Sequence, residues 1–292
     1  MKQLLSLAII LIALTTAAQT PKGKIIEGQS ISSKLTGYNV NYSVYLPPCY
    51  DTSERSYPVL YLLHGYSDNE TAWVQFGEVN RTADKAIEEG VIPPMIIVMP
   101  DAKVTWYVNK FDGTDPFEDM FFEEFIPQIE KQYRIRSQKE FRAVSGLSMG
   151  GHGSLVYAIK HPNMFGACAA FSAAVYTNEE MKNYLTSGNK QWFAPIYGEL
   201  DENGNLPQHW MNYNILNIIE KSEPKIFNGV KFYIDCGDDD FLYKGNAALH
   251  VLMRDKNIEH QYRIREGAHN WTYWRTNIIH GLQFVGDVFH RQ

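Results

Sequence analysis

The stretch VSGLSMGGHGSL, residues 144–155, limits what this chain can fold into more than any other part of it. A β-branched run leads in, and a helical pattern, SLVYAIKHP, leads out. Between them stand four glycines within eight residues: Gly146, Gly150, Gly151 and Gly153. A glycine inside a helix costs about 1 kcal/mol against alanine. Their concentration at a helix start therefore marks a turn that excludes side chains. Gly146-Leu147-Ser148-Met149-Gly150 fits the strand–turn–helix pattern G-x-S-x-G. There a serine sits on a sharp, strained turn, and its neighbours two residues away on either side must lack a Cβ. The turn presents the hydroxyl at a helix N-terminus, where the dipole favours developing negative charge, and it aims the Met149 amide at the same place. A glycine-rich turn that merely packs closely, or binds phosphate, would use similar residues, so the partners of Ser148 decide.

The surrounding sequence supplies a matching scaffold. Residues 24–46 alternate apolar and polar, as in YNVNYSVYL, and predict antiparallel strands with one wet face. Beyond LPPCYD the pattern changes to short apolar or mixed runs: YPVLYLLHG, PMIIVMPD, EFRAVSG, FGACAAFSA, VKFYIDCG and HQYRIREG. Helical segments such as RTADKAIEEG, FFEEFIPQIEKQYRI and NAALHVLMRDKN separate most of them. Strands alternating with helices predict an α/β protein with a mainly parallel sheet covered by helices on both faces. No repeat, low-complexity tract or linker divides the chain, so one domain is expected. Residues 175–229 are too long for a plain connection; they predict an insertion over one end of the sheet, able to form a wall or partial lid.

A serine nucleophile needs a base, and the base needs an orienting acid, in the chain order Ser, acid, His for this architecture. Nine histidines are available. His269, in REGAHNWTYW, follows the last strand and precedes the final helix, on the sheet edge where open α/β proteins place their sites. His152 lies one helical turn past Ser148 and flanks the site. The acid should follow the next-to-last strand, in KFYIDCGDDDFLY. Asp235 lies within that strand and points into the layers. Asp240 is the choice among the three that follow, because a short turn after Gly237 brings it back toward the histidine loop; Asp239 is the reserve, and a solvated turn or weak cation site is the competing reading. The loop after YLLHG supplies the second oxyanion donor in this architecture. The donors are then the backbone amides of Tyr66 and Met149, with His64 holding its loop through a ring hydrogen bond.

Composition narrows the function classes. Of 292 residues, 45% are apolar and 21% charged, with a formal net charge of -6. That balance favours neither nucleic acid nor an anionic membrane as partner. MKQLLSLAIILIALTTAAQT has the form of a secretory leader with cleavage near Ala18, so residues 1–18 are expected to be removed and the protein secreted or periplasmic. Cys49, Cys168 and Cys236 are expected as small core residues without a disulfide framework, and no cysteine spacing suggests zinc. No metal or other cofactor is expected, and the oligomeric state is open. The sequons at Asn41, Asn69, Asn80 and Asn270 read as incidental.

YLLHGYSDNETAW, SGLSMGGHGSL, CGDDDFLY and GAHNWTYW, in that order, resemble the esterase D-like branch of the α/β hydrolases. The likeness is strongest to feruloyl and acetyl-xylan esterases of carbohydrate esterase family one, over roughly residues 35–288. The resemblance implies Ser148 as nucleophile, Asp240 as acid, His269 as base, and Tyr66 and Met149 as oxyanion donors. It also implies hydrolysis of small esters or esterified oligosaccharides. S-formylglutathione hydrolases share the superfamily but act on a cytoplasmic metabolite, which the leader argues against; mycolyltransferases lack the His-Gly form of the oxyanion loop. A non-catalytic binding member would have lost a triad residue, and none is lost. Trp73, Trp106, Tyr107, Trp271 and Trp274 lie in loops after strands or beside His269, where large aromatics suit an aromatic acyl group or a sugar face.

Overall fold

Alternate side chains of the central strands enter two separate cores. Val59, Tyr61 and Leu63 face one, and Leu60 and Leu62 face the other. Ile96 and Val98 oppose Ile97 and Met99 in the same way. A strand buried on both faces in this manner belongs to a sheet covered by helices on both sides. The computed structural model describes residues 21–290, so the expected leader lies outside the described residues.

The strands are β1 (Lys24–Ser32), β2 (Asn39–Leu46), β3 (Val59–Leu63), β4 (Ile96–Pro100), β5 (Arg142–Leu147), β6 (Ala167–Phe171), β7 (Lys231–Gly237) and β8 (His260–Arg265). They form one sheet in the order β1-β2-β4-β3-β5-β6-β7-β8. The β1–β2 and β2–β4 pairs are antiparallel and the rest parallel, as the change of pattern after residue 46 predicts. The chain passes from β3 to β4 on one side and returns to β5 on the other. The carboxyl ends of β3 and β5 therefore flank a topological switch point, where open α/β sheets form their crevice.

The longer helices are α1 (Val79–Glu88), α2 (117–132, with a wider turn at Phe121–Phe125), α3 (Met149–Lys160), α4 (Asn178–Thr186), α5 (Gln208–Tyr213), α6 (Ile215–Lys221), α7 (Tyr243–Asp255) and α8 (Trp271–His290). Helices α1 and α8 cover one face; α2, α3, α6 and α7 cover the other. Helix α3 is buried from Met149 to Ile159, which explains why it lacks a polar stripe. The insertion at 175–229 carries α4, α5 and α6, anchored by a buried cluster. Glu118 of α2 accepts from Lys160 at 2.7 Å and Tyr213 at 2.5 Å, and its other oxygen meets His161 at 2.7 Å. Among the described residues no helix is long and apolar enough to cross a membrane.

The cysteines divide. Cys168 and Cys236 are buried on β6 and β7 as expected, but Cys49 is exposed. Cys49 follows Pro47-Pro48 in the turn that ends β2, with a left-handed φ of 65° that keeps it out of the core.

Candidate active site

The turn between β5 and α3 has the geometry that its glycines foretell. Ser148 adopts φ 53° and ψ -116°, a strained conformation for a residue with a side chain. A Cβ on Gly146 would lie 2.5 Å from the Gly150 carbonyl oxygen, and one on Gly150 would lie 2.5 Å from that of Leu63. Neither position has room for alanine. The Ser148 amide bonds the Phe171 carbonyl of β6 at 3.0 Å, and its carbonyl accepts from His152 and Ala174. The backbone on both sides of the strained residue is thus fixed, and its hydroxyl stands clear above the carboxyl edge of the sheet.

His269 and Asp240 converge on that hydroxyl from the loops after β8 and β7. His269 Nε2 lies 2.9 Å from Ser148 Oγ, and Nδ1 lies 2.9 and 3.0 Å from the two oxygens of Asp240. The carboxylate can only accept, so Nδ1 carries the ring proton and Nε2 is free to accept the serine proton. Asp240 is fully buried at its side chain, and Oδ1 also accepts the Leu242 amide at 2.9 Å. Burial opposes its ionisation, but bonds from His269, Ser172 and Leu242 and the histidine charge more than offset that, and hold the carboxyl below its usual range. Trp274 Nε1 donates to Ser172 Oγ at 3.0 Å, and its ring edge packs on His269 at 4.8 Å. Phe241 covers another side of the imidazole at 4.5 Å. Asp239, the reserve acid, is exposed, and it is Asp240 that meets His269. His152 is buried and pushed down to about 4, which keeps it neutral; its Nε2 meets Tyr197 Oη at 3.2 Å, away from the relay.

The loop after β3 closes the opposite side. His64 Nε2 accepts the Ala102 amide at 2.9 Å, so its Nδ1 holds the proton and donates to the Gly65 carbonyl at 2.8 Å. A trans peptide points its C=O and N–H in opposite directions. Holding the Gly65 carbonyl on His64 therefore turns the Tyr66 amide away from that ring. Gly65 itself approaches Ser148, and a Cβ there would be 3.7 Å from Ser148 Cβ. The Met149 amide opens α3, where it has no intrahelical acceptor.

These elements bound a cavity of about 350 Å³. Gly65, Tyr66, Leu147, Ser148 and His269 form one end; Trp106, Tyr176, Tyr184, Trp192 and Phe193 form an aromatic wall; Phe241, Trp271 and Trp274 complete the rim. Tyr66 packs on Trp106 and Trp192 at 6.0 and 6.2 Å. Asp68 also lines this cavity, and burial raises its carboxyl above the usual range.

A family model described as "Putative esterase" matches residues 33–285. The chain belongs to this esterase family. Among solved structures the esterase superposes on a ferulic acid esterase with TM-score 0.79 and 30% identity, covering 92% of this chain and 99% of the other. An S-formylglutathione hydrolase from Staphylococcus aureus gives TM-score 0.73 at 21% identity, over 90% and 98% of the two chains. That likeness speaks to the shared α/β-hydrolase fold. In sequence the esterase is 35% identical over 159 residues to an endo-1,4-beta-xylanase/feruloyl esterase of Xylanibacter ruminicola, covering 52% of this chain but only 22% of that protein. It is 23% identical to an acetyl esterase of Caldicellulosiruptor saccharolyticus, over 82% of this chain and 86% of the other.

Two expected pocket residues of the esterase lie elsewhere. Trp73 is buried beneath the site: its Nε1 donates at 2.9 Å to the carbonyl of Leu63 at the end of β3, and its ring meets the edge of Trp271 at 5.3 Å. It props Trp271, which does line the cavity. Tyr107 is also buried. Its hydroxyl accepts from the His64 amide at 2.8 Å and donates to the His64 carbonyl at 3.2 Å, so it braces the loop after β3 from behind. Consecutive left-handed φ angles, 58° at Trp106 and 60° at Tyr107, send the first ring into the cavity and the second under it. Tyr176, Tyr184, Trp192, Phe193 and Phe241 also line the cavity. The position of Phe241 beside Asp240 is a signal that could have found it; the other four belong to the insertion at 175–229, whose expected place over the sheet edge suggests a wall without telling which of its side chains form it.

Proposed function

We propose that the esterase is a serine carboxylesterase that releases aromatic acyl groups, of the feruloyl type, from plant cell-wall polysaccharide. The observation that carries this reading is the unbroken relay Asp240–His269–Ser148, each contact at 2.9–3.0 Å, at the end of an aromatic cavity. Ser148 Oγ attacks the ester carbonyl carbon while His269 Nε2 takes its proton. Negative charge develops on the carbonyl oxygen and is met by the Tyr66 and Met149 amides, each such donor contributing about 3 kcal/mol to transition-state stabilisation. Collapse expels the alcohol, which leaves with the proton from His269. Water then enters, His269 removes its proton, and the carboxylic acid departs with Ser148 restored. Asp240 orients the imidazole and stabilises its cationic form without itself taking the proton.

The cavity supports an aromatic acyl group over acetyl. An acetyl group would leave the wall of Tyr66, Trp106, Trp192 and Phe193 unused, whereas a flat ring gains both burial and edge contacts there. The 30% identity to a ferulic acid esterase supports the same choice. The lysine-led apolar run at the N-terminus supports export, where such polymers are met. Rates on methyl ferulate, acetylated xylan and S-formylglutathione test the reading. A kcat/KM highest on methyl ferulate supports it; preference for acetylated xylan or S-formylglutathione overturns the choice of acyl group.

A further inference from the structure

Gly237 and Gly267 meet where the acid loop and the base loop cross. A Cβ on Gly237 would overlap the Gly267 carbonyl, and one on Gly267, at φ 141°, would lie 2.5 Å from the Tyr273 ring. Tyr273 is in turn held by its hydroxyl on Asp235, which also accepts from Tyr233 at 2.6 Å and from Arg265 at 3.0 Å. Above this buried support the parallel pairing of β7 with β8 does not stop at its last register pair, Gly237 with Arg265. The Asp238 amide donates to the Arg265 carbonyl at 2.9 Å, and the Asp239 amide donates to the Gly267 carbonyl at 3.0 Å. The Asp238 carboxylate accepts the Gly267 amide at 2.8 Å. The next rung is His269 on Asp240.

We propose that Asp238 is a positioning residue for the base loop. Its carboxylate is the side-chain rung of a ladder that carries strand register from the sheet edge to the His269–Asp240 pair. The three adjacent aspartates therefore have three separate tasks. Asp240 holds the imidazole, Asp238 holds the loop bearing it, and Asp239 contributes its backbone amide while its side chain faces solvent. Gly267 explains the need for such a rung. Its φ lies where only glycine is at ease, so the loop can swing unless its amide is tied. Without the Asp238 carboxylate, the hydrogen bonds left between these segments are those of the Asp238 amide to Arg265, the Asp239 amide to Gly267, and the His269–Asp240 pair itself. The inference rests on Ser148 and His269 acting as nucleophile and base.

The test compares wild type, Asp238→Ala, Asp238→Asn and Ser148→Ala as purified full chains. It reads kcat and KM for p-nitrophenyl acetate across pH, with a thermal melt of each. Misplacement by about 1 Å can cost roughly 10²-fold in rate. Asp238→Ala is expected to lower kcat about tenfold, with KM within about twofold, and Asp238→Asn, whose amide oxygen still accepts from Gly267, to recover most of it. A lowered melting temperature with unchanged kcat would reduce Asp238 to a structural role and overturn the proposal. Equal loss in both variants would also overturn it, because charge rather than hydrogen-bond acceptance would then be what matters. Turnover by Ser148→Ala would instead overturn the catalytic reading, and that result is independent of the Asp238 ratio.

Discussion

His64→Leu probes how the loop after β3, with its proposed oxyanion donor at Tyr66, is held. His64 is 1% exposed, and its ring joins two backbone groups, the Gly65 carbonyl at 2.8 Å and the Ala102 amide at 2.9 Å. Leucine fills similar space but bonds neither. The fully buried Ala102 amide is then stranded, at a cost of about 1–3 kcal/mol. For a chain of this size that lowers Tm by roughly 2–4 °C per kcal/mol. The Gly65 carbonyl keeps its bond from the Asp68 amide at 3.2 Å, so the peptide loosens rather than flips. Complete loss of one oxyanion donor costs about 10²–10³ in kcat. A loosened Tyr66 amide should therefore lose part of that, about tenfold to a hundredfold, with KM little changed because the bond forms in the transition state. Steady-state kinetics on p-nitrophenyl acetate, with melts on the same samples, read both quantities. A His64→Leu protein that melts lower but keeps kcat within about twofold of wild type refutes the argument, since the ring would then support the fold without aiming the amide.

Other predictions follow from the same geometry. Tyr66→Ala removes a ring from the aromatic wall but leaves the backbone donor; KM for methyl ferulate should rise several-fold while kcat on p-nitrophenyl acetate stays near wild type, and loss of kcat on both would contradict the backbone assignment. Asp240 has its carboxyl pKa depressed in the folded protein, so its stabilising contribution is complete above the ordinary value of 3.8 and is lost as pH falls through the lower folded value. Melting curves should therefore show an acid-side fall below about pH 4 that is shallower in Asp240→Asn. Burial pushes the thiols of Cys168 and Cys236 up, whereas Cys49 is exposed. A thiol reagent applied to the native protein should label Cys49 first, and the other two only on unfolding.

Which parts of this arrangement the sequence discloses follows from how local their causes are. Gly146, Ser148 and Gly150 are legible because one backbone turn sets all three at fixed spacing. His269 and Asp240 are legible because each follows a strand ending on the same sheet edge, and topology alone brings such loops together. The choice of Asp240 over Asp239 needed only the length of the turn after Gly237. The pocket walls are different. Trp73 and Trp106 both follow strands, yet one bonds the Leu63 carbonyl of β3 and the other faces the cavity. A pair of left-handed residues and that carbonyl bond decide between them, and neither is written in composition or spacing. Tyr176, Tyr184 and Phe193 reach the site through the packing of the insertion, anchored far away at Glu118, Lys160 and Tyr213. Cys49 misled because a cysteine beside Pro47-Pro48 reads as apolar, while its left-handed backbone leaves it in solvent.

The central claim is that Ser148 becomes acylated during turnover. Mass spectrometry of the protein, acid-quenched within the first turnovers of p-nitrophenyl acetate, tests it directly. The account predicts an added acetyl group on the peptide carrying Gly146–Gly150, absent from Ser148→Ala, which should also lose hydrolysis. Sustained hydrolysis by Ser148→Ala, or an acetyl adduct elsewhere with Ser148 unmodified, would contradict it.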